Sequence, residues 1–242
     1  MVTITRAIQA FGHGFAAARN VVRPCEFVRC GQLWVVRDPP PAKKPRTTEV
    51  ISHRLSAEET IAEIRAQAIG RHFICAVHDM KTDAAALAHD FKTHRYRLMR
   101  REPFFGCALA TWKGGPRDGR VVKLTAKHGE LAAGLIKAKR LHQADLTDAR
   151  TRIFVAVVDG RAVGVARSIA ATKTEAWVQG VWVEPKHRRH GLGAALMRAM
   201  LADDKHQGFR SSVLLSSHAG ALLYPRVGYT QIGLLQLFCV RR

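Results

Sequence analysis

The residues best suited to chemistry stand in one short run, Arg188-Arg189-His190-Gly191-Leu192-Gly193-Ala194. Two arginines and a histidine lead into two glycines. Leu192, Leu196, Ala199 and Met200 then recur at three- and four-residue steps, which predicts an amphipathic helix. A helix N-terminus offers backbone N–H groups without intrahelical partners and a partial positive charge, and glycine lets a ligand come close to the main chain. The chemistry is anion binding, and a phosphate group suits it. Spacing excludes two phosphate motifs. Leu196 stands where a dinucleotide fingerprint needs its third glycine, and no Gly-Lys-Ser/Thr follows as in a P-loop.

The elements around this run must hold it in place. Ala176–Val183 reads as a strand that Pro185 ends, so the loop links a strand to a helix reaching about Asp203. Ser212–Ser216 is a second strand, followed by a short helix over 219–224 and two closing strands within 229–240. Upstream, Val121–Thr125 is a strand, Gly129–Leu141 a helix, and Ile153–Val158 and Ala162–Ile169 a hairpin turned by Asp159-Gly160. From residue 121 the order is β-α-β-β-β-α-β-α-β-β.

This set resembles the GNAT superfamily of acetyl-CoA-dependent N-acyltransferases over about residues 120–242. The motifs are Val183-x-Pro185, Arg188-x-x-Gly191-x-Gly193 and Leu223-Tyr224-x-x-x-Gly228-Tyr229. The resemblance implies an α/β (α+β) acyl-CoA N-acyltransferase fold, a mixed central sheet flanked by helices. It implies that Arg188, Arg189, His190, Gly191, Leu192, Gly193 and Ala194 wrap the pyrophosphate of coenzyme A, and that Val181 and Val183 meet the pantetheine arm through main-chain atoms. Tyr224 matches the family's general acid for the departing thiolate. Ser217 stands where many relatives carry a cofactor-contacting asparagine. Acetyl-CoA is then the cosubstrate, no metal is needed, and the acceptor is a primary amine on a small molecule, peptide or protein. No general base is assigned: Glu175 and His218 are the candidates, beside a water relay, and Trp177 occupies the place of a catalytic glutamate in some relatives.

The first 110 residues read as a smaller α/β lobe. Residues 3–19 form a helix, Glu26–Cys30 and Leu33–Arg37 strands, and Pro39–Pro45 an exposed loop. Ser56 and Glu59 predict a capping box for a helix that Gly70 ends; Phe73–Val77 is a strand, Asp83–His94 a helix, and Tyr96–Leu109 two strands broken near Glu102-Pro103. The order strand, helix, aromatic, paired strands echoes Ser212–Phe238, without the glycine loop. The lobe is therefore expected to be a degenerate GNAT-like half. Thr111–Gly119, with three glycines and a proline, is the natural linker, which divides the chain into 1–110, 111–120 and 121–242.

Composition sets the outer limits. A hydrophobic fraction of 47% argues for a packed core, and no apolar run approaches a membrane span. Five cysteines without framework spacing predict free thiols in a cytoplasm, Cys25-x4-Cys30 lacks a second zinc-ligand pair, and Met1–Arg23 does not read as a signal peptide. The formal net charge is +20, with 17 basic against 10 acidic residues through position 110 and 22 against 9 after it. Such a field attracts phosphate-bearing ligands, and a basic nucleic-acid-binding protein with a vestigial acyl-CoA site is the rival reading. Against it, no zinc module or helix-turn-helix pattern is present.

Overall fold

The computed structural model describes residues 1–217 and 220–241. Its elements are, in chain order, α1 (Ile4–Asn20), β1 (Glu26–Cys30), β2 (Leu33–Arg37), β3 (Thr48–His53), α2 (Ala57–Ala66), β4 (His72–His78), α3 (Ala84–Thr93) and β5 (Tyr96–Ala108). There follow β6 (Val121–Lys123), α4 (Gly129–Lys137), β7 (Thr151–Val158), β8 (Arg161–Ala170), β9 (Glu175–Val183), α5 (Leu192–His206), β10 (Ser211–Leu215) and β11 (Thr230–Val240). One mixed sheet contains all eleven strands, in the order β1-β2-β3-β4-β11-β5-β10-β9-β8-β7-β6. The mixed sheet with flanking helices agrees with the expected fold class.

The middle of that order is an exchange. β5, from the first half, lies between β10 and β11 of the second; β11 lies between β4 and β5 of the first. Each half thus lends its last strand to the other, and one sheet runs through both.

Two sequence expectations are corrected here. Residues 96–108 are one long strand, and so are residues 230–240, where two strands each were expected. Pro103 does not break β5, because its carbonyl accepts from Ser216 N at 2.9 Å on the β10 side. The missing N–H of Pro103 therefore faces the point where β10 ends, at Leu215 opposite Phe104, and no bond to β11 is lost. β11 absorbs its irregular residues as bulges at Gln231/Gly233 and Leu237/Phe238. A third point is an omission: β3 reads from Val50 and Ile51, but Thr47, Thr48 and Glu49 mask it in the sequence.

Apolar faces settle the layers. α5 packs Leu192, Leu196, Met197, Met200 and Leu201 against Phe154, Ala166 and Val178 on one side of the sheet. On the other side α1 seats Phe11 and its neighbours against Phe104, Trp177 and Val213. α1 comes so close that a Cβ built on Gly14 would collide with the Trp177 side chain. The setting of α5 is fixed by buried Asp204, which accepts from Arg152 Nη2 and Ser168 Oγ, both at 2.6 Å. No helix among the described residues is long and apolar enough to cross a membrane.

Candidate acyl-transfer site

β9 and β10 run parallel but pair only at Ser211–Glu175, Ser212–Ala176 and Val213–Trp177. Beyond that point they diverge. The cause lies in β9. Gly180 has φ +67°, and Arg167 pairs with Gln179 while Val165 pairs with Trp182, so two residues of β9 face one of β8. Such a bulge bends its strand, and a Cβ at Gly180 would meet Arg167 Nη2 at 2.6 Å. Residues 178–183 therefore leave an opening beside β10.

Main-chain groups face that opening. Glu184 N donates to Val163 O of β8 at 2.8 Å, so the alternate residues Val183 and Val181 turn their amides and carbonyls the other way. Arg188 Nε already donates to the Val183 carbonyl at 3.0 Å.

The loop then turns into α5. Pro185–His187 is a single 3₁₀ turn, Arg189 has φ +64°, and Gly191 caps the helix with φ +80°. Nothing lies within 4 Å of a Cβ built on Gly191, so glycine is favoured there by backbone conformation, not by crowding. The first intrahelical bond is Ala195 N to Gly191 O at 3.0 Å, and no side chain caps this end. The amides of Leu192, Gly193 and Ala194 therefore lack an intrahelical acceptor. Leu192 can offer only its main chain, since its side chain is buried in the core. Arg188, Arg189 and His190 are exposed around the helix end, and Arg120 reaches the His190 carbonyl at 3.4 Å.

Tyr224 and Ser217 reach the same place along the segment after β10. A Cβ on Gly193 would lie 3.3 Å from Leu223, and one on Gly220 would lie 3.1 Å from both Ser216 Oγ and the Tyr224 ring. The Ser217 hydroxyl accepts from Gly220 N at 3.3 Å. The Tyr224 ring packs against Phe105 and Tyr229, with centroids at 5.7 and 5.8 Å. Tyr224 is 7% exposed, and burial pushes its phenol up to about 12. It opens a 3₁₀ turn, Tyr224–Val227, where a short helix over 219–224 was expected; Ala219 lies outside the described residues. Pro225 removes an N–H that continued α-helix would need.

Sequence reasoning missed one residue here. Trp112, which follows β5, donates its indole N–H to Val227 O at 3.0 Å and lies against Gly228, whose φ is +104°. It pins the turn that presents Tyr224. A lone tryptophan in a glycine-rich stretch was the available signal.

Of the two candidate bases, His218 lies outside the described residues. Glu175 is at the far end of β9, where the strands are still paired. Burial would raise its carboxyl, but hydrogen bonds from Thr172, Thr174 and Arg6 and the Arg6 charge outweigh that and hold it low. Its carboxylate is thus engaged by Arg6, Thr172 and Thr174. His187 lies 3.6 Å from Glu184 and is directed at that carboxylate.

The first half offers no second opening. β3 and β4 pair over six residues, from Thr48–His72 to His53–Val77. The N-terminus of α2 is satisfied by acids: Ser56 and Glu59 form the capping box, and Asp90 accepts from Ala57 N at 3.1 Å. A hollow of about 1120 Å³, lined by Met80, Trp112, Arg198 and Gln231, includes neither the loop nor Tyr224.

The strand opening thus lies beside an uncapped, glycine-led helix end. Residues 149–231 match the family described as an acetyltransferase (GNAT) domain. A GCN5-related N-acetyltransferase from Kribbella flavida is similar over 99% of this chain and 96% of its own, with 19% identity and a TM-score of 0.66. A GNAT-family acetyltransferase structure from Novosphingobium aromaticivorans covers 98% and 97% at 18% identity, with a TM-score of 0.55. A tandem GNAT protein of the clavulanic acid biosynthesis pathway covers 88% and 80% at 14% identity, with a TM-score of 0.52. No curated protein matches the chain in sequence.

Proposed function

We propose that the protein transfers an acetyl group from acetyl-CoA to a primary amine, by direct attack in a ternary complex. The observation that carries this reading is the divergence of β9 from β10 beside the uncapped N-terminus of α5. The fit is chemical. An amide-rich arm needs main-chain partners, which Val181 and Val183 supply at the opening. A pyrophosphate needs amides and positive charge, which Gly191, Leu192, Gly193 and Ala194 supply with Arg188, Arg189 and His190. Ser217 adds a hydroxyl at the edge. For the arm to pair with Val183, Arg188 must release that carbonyl, which frees its guanidinium for the phosphates.

The bound thioester supplies an activated acyl carbonyl. The remaining work falls to the chain. Holding amine and carbonyl together contributes through proximity. As the C–N bond forms and the C–S bond breaks, Tyr224 donates a hydrogen bond to the departing sulfur. With a phenol near 12 it stays protonated at neutral pH and is a donor, not a base. The ammonium proton leaves through water, since Glu175 is committed elsewhere.

Residues 1–110 we take as a degenerate GNAT-like half, joined through 111–120 to the acetyltransferase unit 121–242. The reciprocal placing of β5 and β11, and the similarity to a tandem GNAT protein, support this. The five free thiols fit a cytoplasmic setting. Calorimetry with acetyl-CoA on the wild type and Gly191→Trp tests the site: loss of binding is expected, and equal affinity refutes the loop assignment. A thiol-release screen over small amines, aminoglycosides and peptides then identifies the acceptor.

A further inference from the structure

A groove of about 810 Å³ opens at the N-terminal ends of β3 and β4, lined by Thr47, Arg71, His72, Arg97 and Arg241 over a floor that includes Phe73, Met99 and Cys239. It continues, sharing Arg97 and Arg241, into a recess of about 290 Å³ that adds His89, Lys92 and Tyr96. Neither hollow has an acidic lining residue. The larger hollow alone has the size of a small-ligand site.

The arginines here differ from the partly buried ones that hold the fold together. Arg19, Arg46, Arg152 and Arg167 each meet a carboxylate at 2.5 to 2.9 Å. Among the described residues, Arg71, Arg97 and Arg241 meet none. Arg97 Nη2 rests instead on two sulfur atoms, Met99 Sδ at 3.5 Å and Cys239 Sγ at 3.8 Å, which are weak acceptors. Arg71 is oriented by its bond to Thr47 Oγ1 at 2.9 Å, and His72 is held between the Gly70 carbonyl and the Tyr96 hydroxyl. Guanidinium groups gathered around a concavity with no acidic lining residue among those described are arranged for bidentate pairing with anions such as phosphate.

We propose that this groove binds a small molecule carrying two or more phosphate groups on an apolar body, the phosphates meeting Arg71, Arg97 and Arg241 and the body lying on Phe73 and Met99. The site is separate from the acyl-transfer opening. On β5, Phe104 marks the end of β10 and Arg97 lies seven residues further, roughly 23 Å at ~3.3 Å per residue. The proposal does not depend on the acetyltransferase reading.

Calorimetric titration with sodium tripolyphosphate tests it, using a Gly191→Trp background so that the α5 loop does not contribute. That protein is expected to keep one tripolyphosphate site. Adding Arg97→Gln and Arg241→Gln is expected to weaken it about a hundredfold, at about tenfold per guanidinium. Arg71→Gln, on an exposed side chain, serves as a second variant whose effect should be near tenfold, and far-UV circular dichroism checks that each variant is folded. Absence of the site in Gly191→Trp, or unchanged affinity in the arginine variants, overturns the proposal. So does displacement of tripolyphosphate by a short single-stranded oligonucleotide far more strongly than by a nucleoside diphosphate, because the occupant would then be a polymer. Acetyl-CoA titration of the otherwise wild-type protein reports separately on the transfer site.

Discussion

Replacing Tyr224 with phenylalanine isolates one hydroxyl. The ring is held by Phe105 and Tyr229, and these contacts survive the change. Burial raises the phenol from 10.0 to about 12, which makes the phenolate unfavourable by roughly 3 kcal/mol at ~1.4 kcal/mol per unit. In the proposed mechanism Tyr224 is then a hydrogen-bond donor that strengthens as charge develops on the leaving sulfur, an interaction made in the transition state. Loss of one such donor costs about 2.7–4 kcal/mol, or roughly 10²- to 10³-fold in kcat. Because the hydroxyl contributes little to ground-state binding, KM for acetyl-CoA should stay within about threefold. The assay is thiol release with a chromogenic disulfide, on an acceptor found by the amine screen, across pH 6–10. The wild-type profile should show no limb from Tyr224 in that range, since its phenol titrates above it. A loss of less than about fivefold in kcat refutes the donor role. A falling limb near pH 9 that disappears in the variant refutes the assignment of a buried, high-pKa phenol.

Other substitutions read other parts of the structure. Gly14→Ala drives a methyl group into Trp177 and should lower stability by about 1–3 kcal/mol in urea titrations; an unchanged midpoint would mean that α1 does not sit tightly on β9. Gly191→Ala meets no atom, so its cost is the left-handed backbone alone, about 1–2 kcal/mol, read as weaker acetyl-CoA binding or lower stability. Glu175 has its carboxyl lowered in the folded protein, so its stabilisation is present above the unfolded value and is lost as pH falls through the folded one. Glu175→Gln should then reduce stability at neutral pH and leave it nearly unchanged at acid pH; equal losses at both would show that packing, not charge, is what Glu175 supplies. Trp112→Phe removes the bond to Val227 and should lower kcat through a looser Tyr224 turn while acetyl-CoA affinity holds; a matching loss of affinity would place Trp112 in binding instead.

The second half of the fold was legible because its signals are local. Gly191 and Gly193 mark the turn, Pro185 ends the strand, and Leu192, Leu196 and Met200 show the helix face. The general acid candidate stood out by its place after a strand. What escaped was non-local. Nothing in Tyr96–Ala108 says that it will be flanked by strands of the other half, and Glu102-Pro103 looks like a break unless the ends of its neighbours are known. Trp112 is ordinary until Gly228 is brought beneath it. Glu175 looked like a base because Arg6, 169 residues away, is invisible from its sequence surroundings. The bulge at Gly180, which makes the opening, carries only the weak signal of a glycine within a strand.

The interleaving of β5 and β11 has a mechanical consequence. Cutting the peptide within 111–120 would break the chain without breaking the sheet, because each fragment still has a strand clamped between two strands of the other. Two separately produced pieces, 1–110 and 121–242, would each carry an unfilled slot shaped for the other's final strand. They should reassemble by mutual insertion and should not persist as independent folded bodies. The chain also has to close loops of more than a hundred residues before its central strands meet, including the pairing of β5 with β10, the strand beside the opening. The site's completion is in this sense a readout of both halves having come together.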